Sequence, residues 1–130
     1  MLPQGLKAGA RNREVQGSSP WGGIGGEMPK MLMVYITFPS KKDAEKIAKM
    51  LIERKIAACC NIFSIKSLYW WGGKIENTKE VVMIVKTLKS KANNLINFIK
   101  NNHPYTVPFI GVINVEVNKE YFKWAKNTLK

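Results

Sequence analysis

The sequence predicts an α+β domain of the ferredoxin-like kind, a β-α-β-β-α-β sandwich with a further helix at its end. Three observations lead there. Four apolar runs rich in β-branched and aromatic residues alternate with segments of helical period, Gly72-Gly73 and the polar stretch Lys74 to Lys79 join the second and third runs as a hairpin, and helical crossovers connect the remaining runs. That order lays both crossover helices on one face of a four-stranded antiparallel sheet.

The elements follow in turn. Met31 to Phe38 is a continuous apolar run closed by Pro39, as suits a strand covered on both faces. Ser40 offers a helix N-cap with Asp43 three residues on, and Ala44, Ile47, Ala48, Leu51 and Ile52 recur at helical spacing. Ala57 to Trp71 reads as a long, bent strand, ended by Gly72 and Gly73 before a polar stretch from Lys74 to Lys79 in which the hairpin turns. Glu80 to Thr87 is the third strand, apolar on both faces and therefore central. Ser90 caps a second helix that buries Ala92, Leu95, Ile96 and Ile99. His103-Pro104 stops it near Asn102, because a residue before proline avoids the helical region. Phe109 to Val117 is the fourth strand, and Asn118 caps a third helix with Tyr121, Trp124, Ala125 and Leu129 on one side.

A chain of 130 residues at 45% hydrophobic content excludes a large multidomain enzyme and a disordered protein. No uncharged apolar run approaches the roughly 20 residues of a membrane span. Residues 1 to 30 hold seven Gly and three Pro among scattered apolar residues and read as a leader without fold, or as an over-extended reading frame; the domain is 31 to 130. The adjacent Cys59 and Cys60 cannot staple distant segments, which favours a reducing, cytoplasmic setting. Over residues 31 to 130, 17 Lys and Arg against 7 Asp and Glu leave +10, a field that concentrates small anions, although the lysines are spread along every element. Nucleic acid is disfavoured as a partner, since Glu80 to Thr87 carries none of the aromatics on which ferredoxin-like readers stack bases. Catalysis is not predicted: the chain has one His, no Gly-x-Ser-x-Gly elbow, and no glycine-rich loop between a strand and a helix.

Several ordered motifs carry a resemblance. Ala57-Ala58-Cys59-Cys60-Asn61-Ile62, Ser67 to Ile75 with its Tyr69-Trp70-Trp71-Gly72-Gly73-Lys74, Glu80 with Ile84-Val85-Lys86-Thr87, and His103-Pro104-Tyr105 with Pro108 strongly resemble the CutA divalent-cation tolerance proteins, and Tyr121 and Trp124 fit the closing motif. The resemblance implies a homotrimer shaped like the nitrogen-regulatory PII proteins, with clefts between subunits and a role in the response to metal ions. Copper or another divalent cation is the cofactor it implies. The +10 charge motivates an alternative, a PII-like signalling protein that binds a small anionic ligand or nucleotide at the cleft, and a third reading is a structural trimer that serves as a platform for partners. The residues expected at such a cleft or at subunit contacts are Tyr69, Trp70, Trp71, Glu80, Lys86 and Tyr105. A long strand with an aromatic tip is itself a reason to assemble, since it exceeds what one subunit can cover; the alternative is that Trp70 and Trp71 divide between core and solvent in a monomer.

For metal, the candidates are Cys59, His103 and Cys60. Thiolate suits Cu(I), and imidazole suits Cu(II) or Zn. Adjacent strand residues point to opposite faces, so both cysteines cannot grip one ion, and a plain structural role for each of the three is preferred. The chain also departs from the family where acidic residues are usual, having Gly72, Thr106 and Phe109 instead, and it lacks a proline-glycine between Asn61 and Ser67. Glu80 remains, flanked by Lys79 and Lys86; it can pair with a base or bind a ligand, and the pairing is the preferred reading.

Overall fold

The computed structural model describes residues 28–130, so all but the last three positions of the expected leader lie outside the described residues. The elements are β1 (Lys30–Phe38), α1 (Lys41–Glu53), β2 (Cys59–Trp71), β3 (Lys74–Thr87), α2 (Ala92–Asn102), β4 (Ile110–Glu116) and α3 (Lys119–Thr128). The strands form one antiparallel sheet in the order β2-β3-β1-β4, the ferredoxin-like arrangement, with β3 and β1 central as their two-sided apolar composition requires.

On one face, Leu32, Val34, Ile36 and Phe38 of β1 and Val81, Met83 and Val85 of β3 pack against Ala44, Ile47, Ala48 and Leu51 of α1 and Leu95, Phe98 and Ile99 of α2. Each large side chain buried there contributes on the order of 1.5–3 kcal/mol. Alternation sends Met31 and Val115 to the opposite face, where α3 covers one end of the sheet through Ala125 and Leu129. Thr87, fully buried, donates its hydroxyl hydrogen to the Ile56 carbonyl and so ties β3 to the turn after α1.

Helix α1 starts as its sequence specifies, with the Ser40 hydroxyl accepting from the Asp43 N–H at 3.1 Å. Its end is less expected. Ile56 N–H reaches the Leu51 carbonyl and Lys55 N–H the Ile52 carbonyl, closing a Schellman turn that holds Lys55 at φ 57°, where glycine is usual. Ile52, placed on the apolar face by its spacing, is 42% exposed.

Other expectations shift. The 3₁₀ turn Lys89–Lys91 precedes α2, so Lys91 is the cap position in place of Ser90, and Phe98 is buried where Ile96 is only half so. Asn118 stands at the N-cap of α3, but its side-chain amide donates to Glu120 Oε2 and makes no capping bond to the backbone. Ala57 and Ala58 precede β2. The polar stretch Lys74 to Lys79 is strand: β2 and β3 pair one to one from Cys59↔Lys86 to Trp71↔Lys74 without a bulge. Gly72 and Gly73, at φ 59° and 77°, make a two-residue turn of the mirror-image type whose twist matches such a hairpin. Because β1 accompanies β3 only as far as Phe38↔Val81, the part from Ile65 to Glu80 extends beyond the sheet as a free arm roughly 20 Å long.

Replacing Lys55 by Gly relieves the left-handed backbone of a residue with a Cβ, and Lys55→Gly is expected to raise the unfolding free energy by about 1 kcal/mol in urea titrations.

Candidate functional site

The arm and the loop after α2 enclose a groove of about 740 Å³. The arm contributes Tyr69, Trp71, Glu76 and Glu80, which alternation places on one face; the loop contributes Pro104, Tyr105, Thr106 and Val107. The proline that stops α2 also turns the chain so that Tyr105 Oη donates to Glu80 Oε2 at 2.7 Å. Burial and that carboxylate together push the Tyr105 phenol well above its ordinary value, so it stays protonated. Glu80 therefore pairs with a phenol, where the sequence suggested a basic residue. Lys79 points to the other face of β3, and Lys86 lies six residues away, about 20 Å along the strand.

His103 fastens the loop. Its Nδ1 accepts from the Tyr105 N–H at 2.9 Å and its Nε2–H donates to the Thr37 carbonyl at 2.7 Å, while the ring stacks on Phe38 with centroids 4.5 Å apart. Both nitrogens are engaged, and the neutral ring has no lone pair left for a metal. Burial lowers its pKa, and protonation of Nδ1 would set two N–H groups against each other.

The cysteines sit far from this loop. Cys59 pairs in register with Lys86, whereas Thr37 pairs with Val82, four residues further along β3 and about 14 Å away. Cys60 packs against the main core, and burial, with a smaller contribution from Cys59, pushes its thiol up to about 12. Cys59 faces the other side, beside Tyr121, whose buried hydroxyl has no hydrogen-bonding oxygen or nitrogen partner among the described residues and whose pKa burial and Cys59 raise to about 12. Lys86 Nζ stands 5.7 Å from the Tyr121 ring centroid. Among the described residues no three His, Cys, Asp or Glu side chains gather as a metal site. Cys59, Cys60 and His103 thus do not form one ligand set within the chain.

Of the six expected cleft residues, Tyr69, Trp71, Glu80 and Tyr105 meet in the groove. Trp70 lies on the opposite face of the arm and Lys86 beside Cys59. The sequence reading missed Glu76, which alternation carried back from Glu80 through Thr78 would have found.

These features define a ferredoxin-like domain with an aromatic and acidic groove built on a projecting hairpin. The family model described as CutA1 divalent ion tolerance protein matches residues 32–128, and the chain belongs to that family. The divalent-cation tolerance protein CutA of Archaeoglobus fulgidus is 48% identical over 98 residues, spanning 75% of this chain and 96% of that protein. A rice protein, CutA 1, chloroplastic, is 34% identical over 131 residues, 99% of this chain and 73% of its own length. Among solved structures, CutA1 from Pyrococcus horikoshii superposes with a TM-score of 0.74 at 44% identity, covering 77% of this chain and 99% of that one. The structure from A. fulgidus, described as periplasmic, gives 0.73 at 46%, covering 78% and 100%. Relatives described as periplasmic and chloroplastic lend no support to the cytoplasmic expectation. No described helix is long and apolar enough to cross a membrane.

His103 makes a pH prediction. A folded-state pKa held below the ordinary 6.5 means that the unfolded chain takes up the proton first as pH falls. The stability that His103 contributes is present above pH 6.5 and is lost as pH drops from there through the lowered value. Urea midpoints measured from pH 8 to pH 5 are expected to fall more for the wild type than for His103→Asn.

Proposed function

We propose that the chain serves divalent-cation tolerance as a homotrimeric binding protein that takes its ligand at the seams between subunits. The arm carries this reading. Leu68, Trp70, Trp71 and Ile75 are each 64% to 72% exposed on a hairpin that β1 does not accompany, and among the described residues the outer edge of β2 has no strand beside it. Apolar surface left in water forgoes about 25 cal/mol per Å², and an open edge offers a row of unpaired backbone groups. Val107 and Phe109 next to the groove and Ile113 on β4 are exposed as well. Closure of three copies about one axis supplies partners to every arm and leaves no chain unsatisfied, which favours a ring over an open filament.

Binding rather than turnover is supported by the sole histidine, whose two nitrogens are taken and which has no free base position. Copper, the cation expected from the resemblance, does not find a donor set among the described residues of one chain. The reading therefore assigns it to a boundary between subunits, with the Cys59 thiol as the soft donor.

Sedimentation equilibrium at micromolar concentration is expected to give three subunit masses, and Trp70→Lys with Trp71→Lys to shift the mass toward one; a monomeric wild type refutes the assembly. In Cu(I) titrations Cys59→Ser is expected to weaken binding by about tenfold or more, whereas Cys60→Ser and His103→Ala bind as the wild type does. Equal affinity in all four proteins refutes the role of Cys59.

A further inference from the structure

The arm has a second face, and its charge is anomalous. The register sets Lys66 of β2 directly opposite Lys79 of β3, on the side that carries Ser64 and Val81 and faces away from the Tyr105 groove. Directly opposed residues of an antiparallel pair have Cβ atoms about 5 Å apart, and like charges in that position destabilise the pairing. Neither lysine has an acidic partner among the described residues, where the one ion pair is Lys49 with Glu53. Both line a cavity of about 580 Å³ that Pro39 and Ser64 also border.

We infer that Lys66 and Lys79, with the Ser64 hydroxyl, form a site for a phosphate-bearing small anion on this face of the arm. Ammonium groups carried on directly opposed strand positions are within reach of one acceptor group, and an anion between them turns the repulsion into two charge-assisted hydrogen bonds. The surroundings leave the task to these side chains. Glu80 borders the cavity, but its Oε2 accepts from Tyr105 on the opposite face. At the nearby start of α1, Ser40 Oγ already accepts from the Asp43 N–H and donates to Asp43 Oδ2 at 2.8 Å. The +10 charge of residues 31 to 130 draws anions toward the subunit, and the opposed pair gives them one place to stop. Both lysines belong to a single chain, but their face of the arm also carries Leu68 and Trp70, so in the assembly proposed above the site stays open only where a neighbouring subunit leaves that face uncovered.

The test is calorimetric titration of the full chain with inorganic pyrophosphate at low ionic strength. Lys66→Gln and Lys79→Gln are each expected to weaken binding about tenfold, the loss of one charge-assisted contact. Lys46→Gln and Lys123→Gln remove the same charge from exposed helix positions and are expected to change affinity by less than about twofold, because screening blunts distant charges. Pyrophosphate should also raise the thermal midpoint of the wild type and fail to raise that of the Lys66→Gln, Lys79→Gln double variant. Absence of binding to the wild type, or equal losses in all four single variants, overturns the site. A monomeric chain that still shows the arm-specific loss refutes only the assembly.

Discussion

The pairing of β2 with β3 is the constraint on which the rest of the molecule hangs. Its inner half is backed by β1 and the two helices, and there each strand position is fixed by burial: Val85, Met83 and Val81 face the core without exception. Its outer half has no such backing. The arm keeps its register because the inner half and the glycine turn hold both of its ends, and a slip by one residue would send every core side chain to solvent. The placement of Tyr69 and Glu80 on one face and of Lys66 and Lys79 on the other is thus inherited from the packing of side chains far from either.

That inheritance separates three kinds of chemistry on one sheet. Near the loop of His103, a phenol donates a hydrogen bond to a carboxylate in an aromatic groove. On the far face of the same hairpin stand two opposed ammonium groups. At the other end, Cys59 lies with Tyr121 and Lys86 under α3. A domain of this size has little interior to spare for a site, and the polar groups accordingly sit on a projection and at a sheet end, where water or a partner can reach them.

Much of this was legible in the sequence, for reasons that are local. Ser40 with Asp43 announces α1, His103-Pro104 stops α2 at Asn102, and the two-sided apolar composition of Glu80 to Thr87 puts β3 in the middle of the sheet. What stayed hidden depends on distant contacts. The outer half of β3 has no apolar face, so its alternation of Glu76, Thr78 and Glu80 reads as a polar turn until the cross-strand partners are known. Glu80 meets Tyr105 from 25 residues along the chain, and the His103 ring meets a carbonyl 66 residues earlier, separations over which no spacing rule operates. Phe98 escaped notice although it stands three residues from Leu95 on the buried side of α2; its ring lies 5.0 Å from the Arg54 guanidinium carbon, a contact between two helices that no local pattern announces.

The glycine turn makes the hairpin a ruler with coarse gradations. A tip of two residues cannot absorb an insertion, so the projection can lengthen only by equal additions to both of its legs. One residue in each leg would carry the tip aromatics to the wrong side, and only additions of two and two preserve the sidedness of Trp70 and Trp71. The reach of this projection is therefore quantised in steps of about 7 Å, and related chains that keep its facing should differ in span by whole steps or not at all.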